Sequence, residues 1–180
     1  MVTRTGRPVP NLIVRALSAG ARRGWLSVGP FHVPCALGRS GIKALKREGD
    51  GASPRGRWPL RQVHVNRAHA GQPRTALPVQ RITRTSGWCD APDNRNYNRP
   101  VALPYGASTE ALWREDGLYD LIVEVGYNDR PRRRGAGSAI FIHIARPGFL
   151  PTEGCIALRR VDLMLVLACV GPRTRLIIEV

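Results

Sequence analysis

Two residues in the last quarter of the chain have the types and spacing for nucleophilic chemistry. His143 ends the apolar run Ser138–Ile144, which reads S-A-I-F-I-H-I. Cys155 follows Thr152-Glu153-Gly154 and precedes the apolar Ile156-Ala157-Leu158. Alone, an imidazole at a strand end is ordinarily a satisfied structural group, and a Gly-Cys is ordinarily an inert thiol. Together they form a nucleophile and a base, because a thiolate is the reactive form and a neighbouring imidazole is the usual means of making it. Gly154 allows a sharp turn, leaves room for a substrate carbonyl and brings backbone N–H groups toward an oxyanion. A helix beginning near Arg159 would aim its N-terminus at this region, and with Arg159 and Arg160 it is expected to favour the thiolate.

The surrounding elements must bring the two residues together. The connector Arg146–Pro151 holds two prolines and a glycine and can fold back so that His143 meets Cys155. Upstream, 12–16, 24–28 and 32–37 read as strands, 38–57 as a polar, turn-rich loop, and 57–65 as a strand without a clean apolar side, hence an edge strand. A weak strand is expected over 77–82. The stretch 86–116, with Trp88, Cys89, Tyr97 and Trp113 among many Asn, Asp and Pro residues, reads as a long lid-like loop. Runs at 119–125 and 138–144 read as strands, 159–170 as a helix stopped by Gly171-Pro172, and 175–180 as a last strand. The fold class is mainly β with one or two short helices. Residues 1–10 are expected to be a flexible segment, and 11–180 a single domain.

Lys and Arg outnumber Asp and Glu by 28 to 13, a net charge of +15. That balance suits an anionic partner such as wall polymer or a membrane surface. No helix-turn-helix, zinc-finger or RNA-binding signature accompanies it, so no specific nucleic-acid partner is expected; the Arg132-Arg133-Arg134 run reads as a solvated turn. No apolar stretch is long enough for a membrane-spanning helix. Arg22-Arg23-Gly24-Trp25-Leu26 fits a strand better than an export signal. Cys35, Cys89, Cys155 and Cys169 contain no C-x-x-C pair, and no cysteine pair stands near His64 and His69, so no structural zinc is expected.

His143, a proline- and glycine-containing connector, T-x-G-C followed by an apolar residue, and the Asp162-Leu163 that opens the helix together resemble the YkuD-type L,D-transpeptidase catalytic domain. The segment Glu48–Trp58, E-G-D-G-A-S-P-R-G-R-W, is similar to that family's glycine-rich run before a strand. The resemblance spans roughly 10–180, with its specific motifs in 138–163. It implies a β-sandwich-like fold, Cys155 as nucleophile, His143 as base and Gly154 in the oxyanion stretch. Thr152, Arg146, Arg160 and Tyr97 are the candidate substrate-binding residues. Three positions depart from the pattern. Glu153 stands where the family usually has histidine, Ala157 where it usually has arginine, and the connector is short.

The chemistry implied is acyl transfer from a peptidoglycan stem peptide through a thioester, forming cross-links with an amine. Water as acceptor would instead give an L,D-carboxypeptidase. A non-catalytic basic binding or scaffold protein is the alternative from another class. The resemblance implies no metal or organic cofactor and a periplasmic or cell-envelope location.

Overall fold

The computed structural model describes residues 7–180. Three antiparallel strands open the chain, β1 (Asn11–Ala16), β2 (Arg23–Val28) and β3 (Phe31–Ala36). Each alternates buried and exposed residues, so Leu12, Val14, Leu26, Val28, Val33 and Cys35 form one apolar face. The short pair β4 (Ile42–Lys43) and β5 (Ser53–Pro54) follows, within the stretch read as a loop. Then come β6 (Gly56–Val65), β7 (Val79–Arg81), β8 (Ser86–Cys89), β9 (Arg99–Ala102), β10 (Thr109–Ala111), β11 (Leu121–Val125) and β12 (Phe141–Ile144). The chain ends with β13 (Ile156–Leu158), the helix α1 (Arg160–Cys169) and β14 (Arg175–Glu179).

The main sheet runs β11-β12-β13-β3-β2-β1-β14-β6-β7, and β6 also pairs with β11. The sheet therefore closes on itself, and its two walls face each other across the core. That core collects the inward residues of β1, β2, β3, β6 and β11 with Ile142, Ile156, Leu158, Leu176 and Ile178, and α1 adds Leu163, Val166 and Leu167. The mainly β expectation holds, and the sandwich-like layering comes from one closed sheet rather than two separate ones.

The edge-strand expectation for 57–65 is overturned. The first part of β6 pairs with β14 (Arg175↔Pro59, Ile177↔Arg57) and the second with β11 (Leu121↔Val65, Val123↔Val63). The strand changes partners midway and shifts register against β11. A single alternating pattern cannot serve both halves.

The lid-like loop expected over 86–116 is also corrected. It contains a three-stranded antiparallel sheet in the order β10-β8-β9. Its strands have three or four residues each and include Pro100 and Gly87, which hides them from periodicity. Of the segment 1–10 expected to be flexible, residues 1–6 lie outside the described residues. Val9 N–H donates to Cys169 O at 2.8 Å, Thr174 Oγ1 to Val9 O at 2.6 Å, and Arg175 N–H to Pro10 O at 2.9 Å.

Candidate active site

The strands β12 and β13 are parallel neighbours in the register Ile142↔Ile156, His143↔Ala157 and Ile144↔Leu158. Residues opposite one another in a ladder share a face. One face carries Ile142, Ile156 and Leu158 into the main core. The other carries Phe141, His143, Cys155 and Ala157. Thus the histidine and the cysteine lie one step apart along adjacent strands, on the same side, and both line a cavity of about 560 Å³.

The turn before Cys155 is fixed by its own residues. Thr152 Oγ1 donates to Cys155 O at 2.6 Å and accepts from Gly154 N–H at 3.1 Å. Thr152 N–H donates to Leu37 O at 2.9 Å, and Arg39 N–H to Thr152 O at 2.8 Å, which anchors the turn beyond β3. Gly154 has φ +136°, and a Cβ there would sit 2.7 Å from Ala52 O. Both the backbone angle and the close approach of the loop before β5 exclude a side chain.

Cys155 is buried. Its Sγ–H donates to Ala139 O at 3.2 Å and Sγ accepts from Phe141 N–H at 3.3 Å. Ala139 itself has φ +51°, which starts β12 only at Phe141. Burial, then the charge of Glu110, pushes the Cys155 thiol up to about 12. The resting sulfur is a thiol. The expected activation by the following helix and its arginines is therefore corrected. β13 separates Cys155 from the start of α1, Arg159 donates to Asp162 at 2.6 Å, and Arg160 is bound to Asp120.

His143 is buried and its Nδ1 lies 2.8 Å from Ile144 O. A carbonyl only accepts, so Nδ1 carries the proton and Nε2 keeps its lone pair. Burial holds the imidazole down to about 4, so it is neutral at physiological pH. The ring of Tyr119 meets it edge-on, with centroids 5.1 Å apart. Among the described residues no hydrogen bond joins His143 to Cys155. The pair is a neutral thiol and a neutral base facing one cavity.

The other expected site residues divide. Thr152 and Arg146 line the cavity with Cys155 and His143. Arg160 does not, being paired with Asp120. Tyr97 is buried behind the cavity wall, where its hydroxyl donates to Glu48 and accepts from Gly137 N–H at 3.0 Å. Glu153 lies at the rim in an ion pair with Arg39 at 2.8 Å, and Ala157 stands directly across from His143.

The cavity also gathers residues that local reading did not select. Lys46 is buried against Asp50 at 2.8 Å, and Arg114 pairs with Asp116 at 2.5 Å while lying over the Tyr119 ring at 5.1 Å. Glu110, on β10, accepts from the Tyr119 hydroxyl at 2.5 Å. Burial raises the Glu110 carboxyl, with the Tyr119 bond opposing. Asp90 and Ser138 complete this side. Among the described residues, no group of three or more His, Cys, Asp and Glu side chains is arranged to hold a metal ion.

A family model for the L,D-transpeptidase catalytic domain (YkuD) matches residues 22–178. No curated protein and no solved structure gives a match.

Proposed function

This chain belongs to the L,D-transpeptidase catalytic-domain family, and we propose that it is a cysteine acyl-transferase acting on peptidoglycan stem peptides, with Cys155 as nucleophile and His143 as base. The observation that supports this reading is the shared face of β12 and β13, where an unprotonated Nε2 and a thiol open onto the same cavity.

With the thiol near 12 and the imidazole near 4, a standing thiolate–imidazolium pair is disfavoured. The proton moves during attack. Sγ adds to the scissile carbonyl as Nε2 takes its proton, and the imidazolium then protonates the departing amine. The oxyanion falls to backbone N–H groups at Gly154 and Cys155; the Gly154 N–H now rests on Thr152 Oγ1 and exchanges that acceptor for the oxyanion. The product is a thioester, and an amine on a second stem resolves it to a cross-link. Arg146, which forms no ion pair among the described residues, is the cavity cation that replaces the one absent at Ala157, and it suits a substrate carboxylate. The net charge of +15 suits retention on an anionic wall or membrane surface, in keeping with a cell-envelope location.

The test is intact-protein mass spectrometry after incubation with a carbapenem, beside Cys155→Ala. The expected result is one covalent adduct on the wild type and none on the variant. A folded wild-type protein that stays unmodified, and that also fails to cleave a stem tetrapeptide, would overturn the proposal.

A further inference from the structure

The charged groups of the cavity are unevenly satisfied. Its buried lysine and Arg114 are each matched by an aspartate, Lys46 by Asp50 at 2.8 Å and Arg114 by Asp116 at 2.5 Å. The acids Glu110 and Asp90 have no such partner, although the charge of Arg114 reaches Glu110. Among the described residues, neither Glu110 nor Asp90 forms an ion pair, in a chain of net charge +15. Glu110 Oε1 accepts from Tyr119, which leaves Oε2 for a ligand.

Two further oxygens line the same cavity. Asp90 Oδ1 and Ser138 Oγ are buried without a close hydrogen-bond partner among the described residues, the Ser138 hydroxyl having only a longer-range interaction with Tyr97, and both residues line the cavity. Ser138 is only 7% exposed and directly precedes Ala139, whose carbonyl receives the Cys155 thiol. Buried acceptors left without donors are unfavourable unless a ligand supplies the donors. Glu110 and Asp90 are also neighbours by register. Glu110 is opposite Trp88 in the β10–β8 ladder, which places Asp90 on the diagonal of the same face. The field of Asp90 reaches Glu110, and that of Glu110 reaches Cys155.

A primary ammonium carries three donors and one positive charge, which matches a carboxylate and two further oxygens. We propose that Glu110 docks the attacking amine and takes its proton: an ammonium group enters this end of the cavity, donates to Glu110, Asp90 Oδ1 and Ser138 Oγ, and is deprotonated by Glu110 before its nitrogen attacks the thioester on Cys155. The balance is complete within the site. The ammonium gives one proton to the Glu110 carboxylate, the nitrogen–carbon bond forms, and the carbon–sulfur bond breaks. The second nitrogen proton passes through His143 to the departing sulfur, which restores the Cys155 thiol. Burial favours this acceptor role, since a carboxylate with a raised affinity for protons is the stronger base. Tyr119 positions the carboxylate with its hydroxyl and the imidazole with its ring edge.

The inference rests on the acyl-transferase reading and specifies its second half. The test supplies a synthetic stem tetrapeptide as donor and Nα-acetyl-L-lysine amide as amine, and measures the ratio of aminolysis to hydrolysis products by mass spectrometry. This ratio counts only molecules that have acylated, so loss of folded protein does not enter it. Glu110→Gln is expected to lower the ratio roughly tenfold or more and to raise the KM for the amine, with partial recovery in Glu110→Asp. Wild-type protein that forms no acyl-enzyme overturns the transferase reading, and this inference with it. An acyl-enzyme that forms while the ratio stays within about twofold in Glu110→Gln overturns the amine site alone.

Discussion

The two faces of the β12–β13 pair are made by alternate residues of the same short segments, yet they follow opposite rules. Ile142, Ile156 and Leu158 point into the main core and are fully buried. His143, Cys155 and Ala157 point the other way and line a cavity edged by ionisable side chains, while Phe141 on the same side packs with Trp88 and Tyr119 in a second apolar cluster. One face is satisfied by packing. The other keeps polar groups nearly as buried, and each needs its own partner: a carbonyl for His143, a carbonyl and an amide for Cys155. The comparison shows how a closed sheet fixes a histidine and a cysteine on one face. The strands are held in register by their apolar side, so the chemical side needs few contacts of its own.

Substitutions one residue apart separate the two faces. Cys155→Ala is expected to abolish carbapenem acylation outright and to cost about 1 kcal/mol, because it removes the sulfur that accepts from Phe141 N–H. Ile156→Ala removes a wholly buried side chain beside it, and should cost about 2–5 kcal/mol in urea unfolding. Equal losses of stability in the two variants would break the contrast.

The neutrality of His143 gives a third expectation. Its folded value is held near 4, while an unfolded histidine titrates at 6.5. The unfolded chain therefore binds a proton that the folded chain refuses. Stability is fully present above pH 6.5 and is lost as pH falls toward 4, by about 3 kcal/mol from this one group. His143→Gln should flatten that slope. The thiol gives the complementary limb: alkylation of Cys155 by iodoacetamide should keep rising with pH through 9, without the plateau of a preformed thiolate.

Smaller effects sharpen the comparison at its edge. Gly154→Ala places a Cβ against Ala52 O at a backbone angle foreign to alanine, and is expected to cost about 1–3 kcal/mol together with a slower acylation rate. Glu153→Gln breaks only the exposed pair with Arg39 and should change stability by less than about 1 kcal/mol.

That His143 and Cys155 meet at one cavity is legible in the sequence because the determinants of their placement are local. An apolar run ends in histidine, a short connector holds Pro and Gly, and T-x-G-C opens the next strand. The thiol's protonation state was not legible. It depends first on burial of the sulfur by side chains from several strands and then on Glu110, brought in by the pairing of β10 with β8. The other side of the cavity escaped for the same reason. Lys46, Asp90, Glu110 and Tyr119 come from separate elements, and the strands that carry or precede the acids are too short for a period to show. Arg160 and Tyr97 looked available by type but are already bonded, to Asp120 and to Glu48 and Gly137.

Keeping Cys155 as a buried thiol also bears on how long the protein lasts. Peroxide attacks thiolates, and exposed cysteines of low proton affinity are the ones driven to sulfenic and then irreversible sulfinic acid. A buried sulfur held as the thiol gives oxidants almost no target. The same arrangement that makes this thiol hard to ionise makes it slow to age.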